Sequence, residues 1–362
     1  MMLERAWSNQ KPAWHLAIVR AILYSLSWPY RLGTRIDRFL YDSGFRKIRK
    51  LPVRVACVGN ISVGGSGKTP FCAFLARGLS ARGERVVLIS RGYRRQNRDK
   101  VLIVCHGSDA GGDVCRAGDE PALLARRSGS PVVVGADRVA AGELALQKFD
   151  PDWLVLDDGF QHRRLGRDVD IVLLDAGRCI EEEHLLPRGP LRESISGLKR
   201  AHMIVLTHWR EDRVCRRNWD FLKSTMNKPM FRAVHKPAAL LNGNEIMDPS
   251  VLSGKRVLAF CGLANNESFL ETIEHLGARP VCFLGFRDHP RYSSRDVRRI
   301  TSLAATHGAE AIVTTEKDLM NLQHLVRPDF RPLVLCIEMR LIEDEDAFWL
   351  SWNQIAEDVV WK

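Results

Sequence analysis

No C-x-x-C pair occurs anywhere in this chain, and its nine cysteines (57, 72, 105, 115, 179, 215, 261, 282, 336) are odd in number and scattered. That argues against a disulfide frame and against a zinc site. Reduced thiols buried in apolar runs are the reading that remains, and they favour a cytoplasmic catalytic body. Long apolar runs are also missing. The richest stretch, Ala13 to Tyr30, is interrupted by His15 and Arg20 and closed by Pro29, so it falls short of the ~20 residues a membrane span needs. No clear small-residue cleavage site follows it, which speaks against a simple leader. Acidic residues are outnumbered, 43 against 54 lysines and arginines, for a formal net charge of +11. Such a balance suits an anionic partner: nucleic acid, an acidic membrane surface or a phosphorylated substrate. Internal repeats and low-complexity segments are absent.

What is present begins at Val53–Val58, an apolar run without polar alternation that predicts a buried parallel strand. It leads into Gly59-Asn60-Ile61-Ser62-Val63-Gly64-Gly65-Ser66-Gly67-Lys68-Thr69-Pro70. Glycines there let successive N–H groups face one concave nest, Lys68 adds a mobile positive charge, and Thr69 offers a hydroxyl to Mg²⁺ where the next helix starts. Ser62 stands where the usual G-x-x-x-x-G-K-[ST] pattern has its first glycine. The strand before the loop and the periodic Phe71, Phe74, Leu75, Leu79 after it restore the match. Residues Ser62 to Thr69 are therefore read as a phosphate-binding loop.

Further strands are expected at Arg85–Ser90, Pro131–Val134, Trp153–Leu156, Val169–Leu174 and Ile204–Leu206, alternating with helical stretches. The expectation is an α/β fold with a P-loop-type parallel sheet, helices on both faces and a second, smaller α/β lobe. Met230 to Asn244 reads as a linker. The second lobe is expected to begin at Arg256–Leu263 and to continue through Pro280–Leu284 and Ala311–Thr314. The expected division is 1–50 as a basic amino-terminal helical segment, 51–240 as the core, 241–335 as the second lobe, and 336–362 returning to the core.

Asp157 and Asp158 end an apolar strand, where a kinase or nucleotide hydrolase places a metal-directed acid opposite Thr69. Asp119 and Glu120 form a second acidic pair before Pro121. Their plain reading is a helix cap by Asp119, and their sharper one is metal binding with deprotonation of an attacking hydroxyl. Prolines stiffen the loop Leu186 to Glu193, so Arg188 and Arg192 are expected to be held toward phosphate. Thr315-Glu316-Lys317-Asp318 imitates the guanine-reading N/T-K-x-D element with the wrong spacing, which argues against a GTP-dependent switch. Around the amino-terminal helix, Lys11, Arg20, Arg31, Arg35, Arg38, Arg46, Lys47, Arg49 and Lys50 supply positive charge. A helix lying on an anionic leaflet fits both charge and apolarity, and a helix packed on the core is the alternative.

In combination these strings resemble the signature of the tetraacyldisaccharide 4′-kinases, the lipid A kinases of Gram-negative bacteria. The resemblance rests on the loop from Gly59 to Pro70, Ser90-Arg91-Gly92-Tyr93, Gly118-Asp119-Glu120-Pro121, Leu156-Asp157-Asp158-Gly159-Phe160-Gln161-His162, Leu186–Glu193 and Thr315–Asp318. It implies transfer of the ATP γ-phosphoryl group to the 4′-hydroxyl of a tetraacylated glucosamine disaccharide 1-phosphate, giving lipid IVA, with two lobes closing over the nucleotide. It implies, too, a protein resting through its amino-terminal helix on the cytoplasmic face of the inner membrane. A nucleic-acid-binding module would want arginines clustered with aromatics along one face, whereas here they cluster at strand-end loops, so no nucleic-acid partner is expected. By the same resemblance Asp119 is the base, assisted by His289, and Thr69, Glu120 and Asp158 are the Mg²⁺ set. Lys68 neutralises transferring charge. Arg138, Asp157, Arg192 and Glu193 support the active site, and Asn60, Tyr93 and His162 hold the sugar or its phosphate. The family's lysine after the strand-end threonine is replaced here by His208, so no role is carried over there. A nucleotide-hydrolysing switch protein acting on a protein partner is the alternative, and it lacks the base-reading element it would need.

Overall fold

The computed structural model describes Trp7 and residues 14–92, 101–104, 118–263, 266–287, 290–322, 325–327 and 329–358. The chain divides into two compact units, the first of residues 1–91, 135–234 and 340–362, the second of 92–134 and 235–339. The second unit thus includes residues 92–134, which the sequence reading gave to the core.

The first unit is built on β1 (Arg54–Gly59), β2 (Val86–Ser90), β5 (Trp153–Asp157), β6 (Val169–Asp175), β7 (Met203–Thr207) and the start of β8 (Met230–Asn242). Their order is β8-β7-β6-β1-β5-β2, and the pairings are parallel. Every residue of β2, β5 and β7 is buried, which is why these strands read as unbroken apolar runs. Helices cover both faces. Successive strand residues point to opposite faces, and Trp153 meets Trp352 of the helix Glu345–Asp358 at 4.9 Å. A Cβ on Gly142, in the helix Arg138–Phe149, would collide with Leu51 at 2.4 Å and crowd Leu154 at 3.3 Å, so this helix packs close on the other face.

Register puts the site at one sheet edge. Val58 pairs with Asp157 and with Ile171, so β1 and β5 deliver the phosphate loop and the acidic pair side by side. A Cβ on Gly59 would stand 2.5 Å from Phe160 Cβ, so only glycine lets the two strand ends approach this closely.

The amino-terminal helix runs from Trp14 to Asp42 with Pro29 inside it, so it continues past the apolar run that Pro29 closes. Proline there costs one main-chain bond, while Ser27 and Tyr30 hold that stretch from outside by bonding to the carbonyls of Leu185 and Arg192. One expectation is corrected here: Met230–Asn244 is not a linker, since β8 occupies most of it. Phe231 and Ala233 are buried on one face, with the less buried Arg232 between them. Its first residues pair with β7, and Leu240–Asn242 pair antiparallel with β9 (Glu245–Met247).

In the second unit β10 (Arg256–Cys261), β11 (Arg279–Gly285), β12 (Ala311–Thr315) and β13 (Leu333–Leu341, of which 340–341 belong to the first unit) lie in the order β11-β10-β12-β13, all parallel. β3 (Val101–Val104) neighbours β4 (Val132–Gly135). The helix Asp119–Ser128 packs Ala122 and Leu123 against Met320. After β13 the chain closes the first unit with the helix Glu345–Asp358. The described cysteines 57, 72, 179, 215, 261, 282 and 336 are all unbridged.

Candidate active site

The loop Asn60–Thr69 is held from three sides. Val63 N donates to Pro190 O (2.8 Å) and Arg192 N to Ile61 O (2.7 Å), which ties it to the stiff Leu186–Glu193 segment. Asn60 Nδ2 donates to Ser66 Oγ (3.0 Å) across the loop. Thr207, buried at the end of β7, donates its hydroxyl to Ser66 O (3.1 Å). The nest is smaller than the sequence suggests, because the amides of Val63 and Ser66 are used within the protein, Ser66 N on Gly64 O. Gly67 takes the cap position of the helix Lys68–Ser80 with φ +74°, a left-handed conformation that suits glycine. The first N–H groups of that helix lack intrahelical acceptors and carry the positive end of its dipole. Phosphate oxygens meet both needs.

Charges converge beside this helix start. Asp158, with φ +53°, follows β5 and bonds its N–H to Val58 O (3.0 Å). Arg192 Nη1 donates to both Asp158 oxygens at 3.0 Å, and Lys68 Nζ lies 3.7 Å away. Burial would raise the Asp158 pKa, but Lys68 and then Arg192, with Arg138, outweigh it and hold the group below the ordinary carboxylate range. Asp157 is buried one residue earlier, against Cys72. Thr69 is the second residue of the helix, with an oxygen ligand to offer.

A second layer stands behind. Arg138 is buried and donates Nη1 to Gly135 O (2.9 Å). Burial, then the charge of Arg91, pushes its pKa down against the pull of Asp157 and Asp158. Burial, then Arg138, drives His162 down to about 4, so it is neutral near pH 7. Asn60 Oδ1, Arg138 Nε and His162 Nε2 are buried without a partner among the described residues. Three such atoms beside one loop are costly unless a ligand or water satisfies them. Glu193 accepts from Gln161 Nε2 (2.8 Å) and from Arg200 Nη2 (2.7 Å).

The first unit therefore gathers Asn60, Ser62–Thr69, Arg138, Asp157, Asp158, His162, Arg192 and Glu193. Asp119 and Glu120 belong to the second unit. Asp119 does not cap its helix: Gly118 holds the cap position with φ +99°, and Asp119 Oδ1 accepts from Glu120 N (3.0 Å) while Asn321 Nδ2 reaches Oδ2 at 3.4 Å. Tyr93 and His289 lie outside the described residues. Asp318 is fully buried and accepts from Tyr292 (2.7 Å), Gly262 N (3.0 Å) and Thr315 (2.6 Å), so Thr315–Asp318 is a structural knot with no carboxylate free to read a base. Sequence reasoning assigned no role to Thr207 or Gln161. Their signals were a polar residue closing an apolar strand, and a glutamine inside the Asp157–His162 string.

Comparison with known proteins places these residues in context. Residues 19–354 match the family model described as tetraacyldisaccharide-1-P 4'-kinase. A tetraacyldisaccharide 4'-kinase of Syntrophus aciditrophicus is 39% identical over 350 residues, covering 93% of this chain and 94% of the relative. One of Elusimicrobium minutum is 37% identical over 362 residues, with 96% and 94% covered. The crystal structure of LpxK from Aquifex aeolicus in complex with ATP superposes with a TM-score of 0.75 at 35% identity, covering 93% of this chain and 99% of that one.

Proposed function

The chain belongs to the tetraacyldisaccharide-1-P 4'-kinase family, and from that premise we propose how its residues divide the work. The protein is an ATP-dependent kinase of lipid A biosynthesis, moving the γ-phosphoryl group of ATP to the 4′-hydroxyl of a tetraacylated glucosamine disaccharide 1-phosphate. Phosphoryl transfer asks for positioning and charge neutralisation rather than covalent chemistry. In our reading the amides opening the helix Lys68–Ser80 cradle the phosphates, and Lys68 and Arg192 neutralise charge on the transferring group. The convergence of those two cations on Asp158 at the mouth of a glycine loop is the observation that carries this reading.

Mg²⁺ prefers hard oxygen donors and shares its shell with substrate phosphates. The Thr69 hydroxyl and the Asp158 carboxylate, held ionised by its cations, have that chemistry, and Glu120 is the further carboxylate in our assignment. The ion would supply neutralisation of charge on the phosphates. Asp119 is our candidate for the base that takes the 4′-hydroxyl proton, with His289 assisting. Neutral His162 and Asn60, with unsatisfied buried atoms, suit uncharged sugar hydroxyls, and Tyr93 joins them by resemblance.

The amino-terminal helix supports a membrane-surface role at the cytoplasmic face of the inner membrane. Ile18, Ile22, Leu26, Trp28, Leu32, Ile36 and Phe39 are each about half exposed or more. Their spacing forms an apolar stripe along a helix about 44 Å long at 1.5 Å per residue. No described helix is long and apolar enough to cross a membrane. A kinase whose acyl-chain substrate stays in the bilayer gains access this way, and no nucleic-acid partner is called for. The test is ATP consumption by the purified protein with and without the detergent-dispersed tetraacyl disaccharide 1-phosphate. Acceptor-dependent turnover is expected, whereas equal turnover without acceptor overturns the reading.

A further inference from the structure

Gln161 occupies the middle of a chain of side chains that ends on the phosphate loop, and the functional assignment above leaves it without a task. Its amide is saturated in a way that fixes its orientation. Nε2 donates to Asn60 O at 2.8 Å and to Glu193 Oε1 at 2.8 Å, using both N–H groups. Oε1 accepts from Arg192 Nη1 at 3.4 Å. Only a primary amide offers two donors and an acceptor in one plane at that reach. Glu193 is itself fixed, since Arg200 holds its other oxygen at 2.7 Å and the Gly197 main chain packs so close that a Cβ there would meet Glu193 Oε2 at 2.4 Å.

We infer that Gln161 is a positioning residue for Arg192, locking its guanidinium to the main chain of the phosphate loop through Asn60 O and to Glu193. The inference deepens the reading of Arg192 given above and rests on it. Asp158 alone cannot set the guanidinium, because that carboxylate is shared with Lys68 at 3.7 Å. Gln161 is neutral and competes for neither cation's charge, so it can orient Arg192 without weakening the pull that either exerts on phosphate. The link to Asn60 O also makes the Arg192 head and the loop move as one body, which is what a donor needs to stay aligned as charge shifts during transfer.

The test is a double-mutant cycle on the full chain with Mg·ATP and the dispersed tetraacyl disaccharide 1-phosphate, using Gln161→Met, Arg192→Ala and the pair. Gln161→Met is expected to lower kcat about 10-fold while KM for ATP and for the lipid stays within about twofold, because binding contacts are kept and only alignment is lost. In the Gln161→Met background, Arg192→Ala is expected to cost at least fivefold less than in the wild type. Effects that simply multiply, or a Gln161→Met enzyme within twofold of wild-type kcat, overturn the inference. If Arg192→Ala alone leaves kcat unchanged, the Arg192 reading itself fails, a result that the cycle separates from failure of the coupling. Should Gln161→Met not fold, Gln161→Asn keeps the amide one methylene short and goes through the same cycle with the same criteria.

Discussion

Lys68 and Arg192 share the Asp158 carboxylate, and that sharing ranks the residues of the site. A cation aimed at developing charge is worth about two to three orders of magnitude in rate when removed. Lys68→Met is accordingly expected to lower kcat about 10²–10³-fold with a melting temperature close to wild type; a loss under tenfold in single-turnover assays would contradict its role. His162 gives a second prediction. Its native pKa, about 4, lies below the ordinary histidine value, so between the two the unfolded chain binds more protons than the folded one. The burial of neutral His162 therefore adds stability that is complete above about pH 6.5 and is lost as pH falls toward 4. An imidazole NMR titration should place the midpoint near 4, and His162→Gln should flatten the pH dependence of melting in that window. A midpoint near 6.5 would refute the burial argument. Much of this scale was legible in the sequence, because the loop from Asn60 to Thr69 and the pair Asp157-Asp158 are local patterns. The tasks of Thr207 and Gln161 were not, since each depends on a partner about 100 or more positions away. Of the two readings weighed for Asp119, the helix cap fails because Gly118 takes that position with a positive φ that is set by the fold and not by residue type.

Helices and strands hold the site through a few large contacts. Phe348 of the carboxy-terminal helix is fully buried between Phe71 and Phe74 of the helix behind the phosphate loop and Phe231 of β8, at ring distances of 6.0, 5.7 and 5.3 Å. Truncating a buried phenylalanine costs about 3–5 kcal/mol. Phe348→Ala is expected to show that loss by urea unfolding of the first unit, and a loss under about 1 kcal/mol would mean the helix is a passive cover. At Gly59 a methyl group would collide with Phe160 Cβ and its main-chain nitrogen, at 2.5 and 2.9 Å. Gly59→Ala should therefore weaken Mg·ATP binding, read by calorimetry, through displacement of Phe160 and the acidic pair before it; unchanged affinity would contradict the close-approach argument. The strands of this unit were readable because full burial on both faces leaves unbroken apolar runs. β8 was not, because Arg232, Lys236 and Pro237 interrupt its alternation and suggest a linker. The helix continues through Pro29 because proline is a reliable stop only where nothing outside the helix holds the chain.

The whole molecule is discontinuous in sequence, and that is where linear reading runs out. Residues 92–134 join 235–339 because Ala122 and Leu123 pack on Met320, a contact across about 200 positions that no local pattern announces. The amino-terminal helix was easier, since charge and apolarity are both local, yet its two faces separate only in three dimensions. Ser27 and Tyr30 bind loops of the first unit on one side, and the apolar stripe stays exposed on the other. Trp28→Glu with Leu32→Glu should reduce co-sedimentation with anionic vesicles at least fivefold without altering Mg·ATP affinity. Undiminished co-sedimentation would remove the stripe from the account. The central claim is that the loop ending in Lys68-Thr69 grips ATP and passes its terminal phosphoryl group directly to the glycolipid. Incubation with γ-labelled ATP and the tetraacyl disaccharide 1-phosphate tests it most directly. The account predicts one label in a new 4′-phosphomonoester for each ADP formed, and accumulation of ADP and labelled inorganic phosphate with an unlabelled lipid would contradict it.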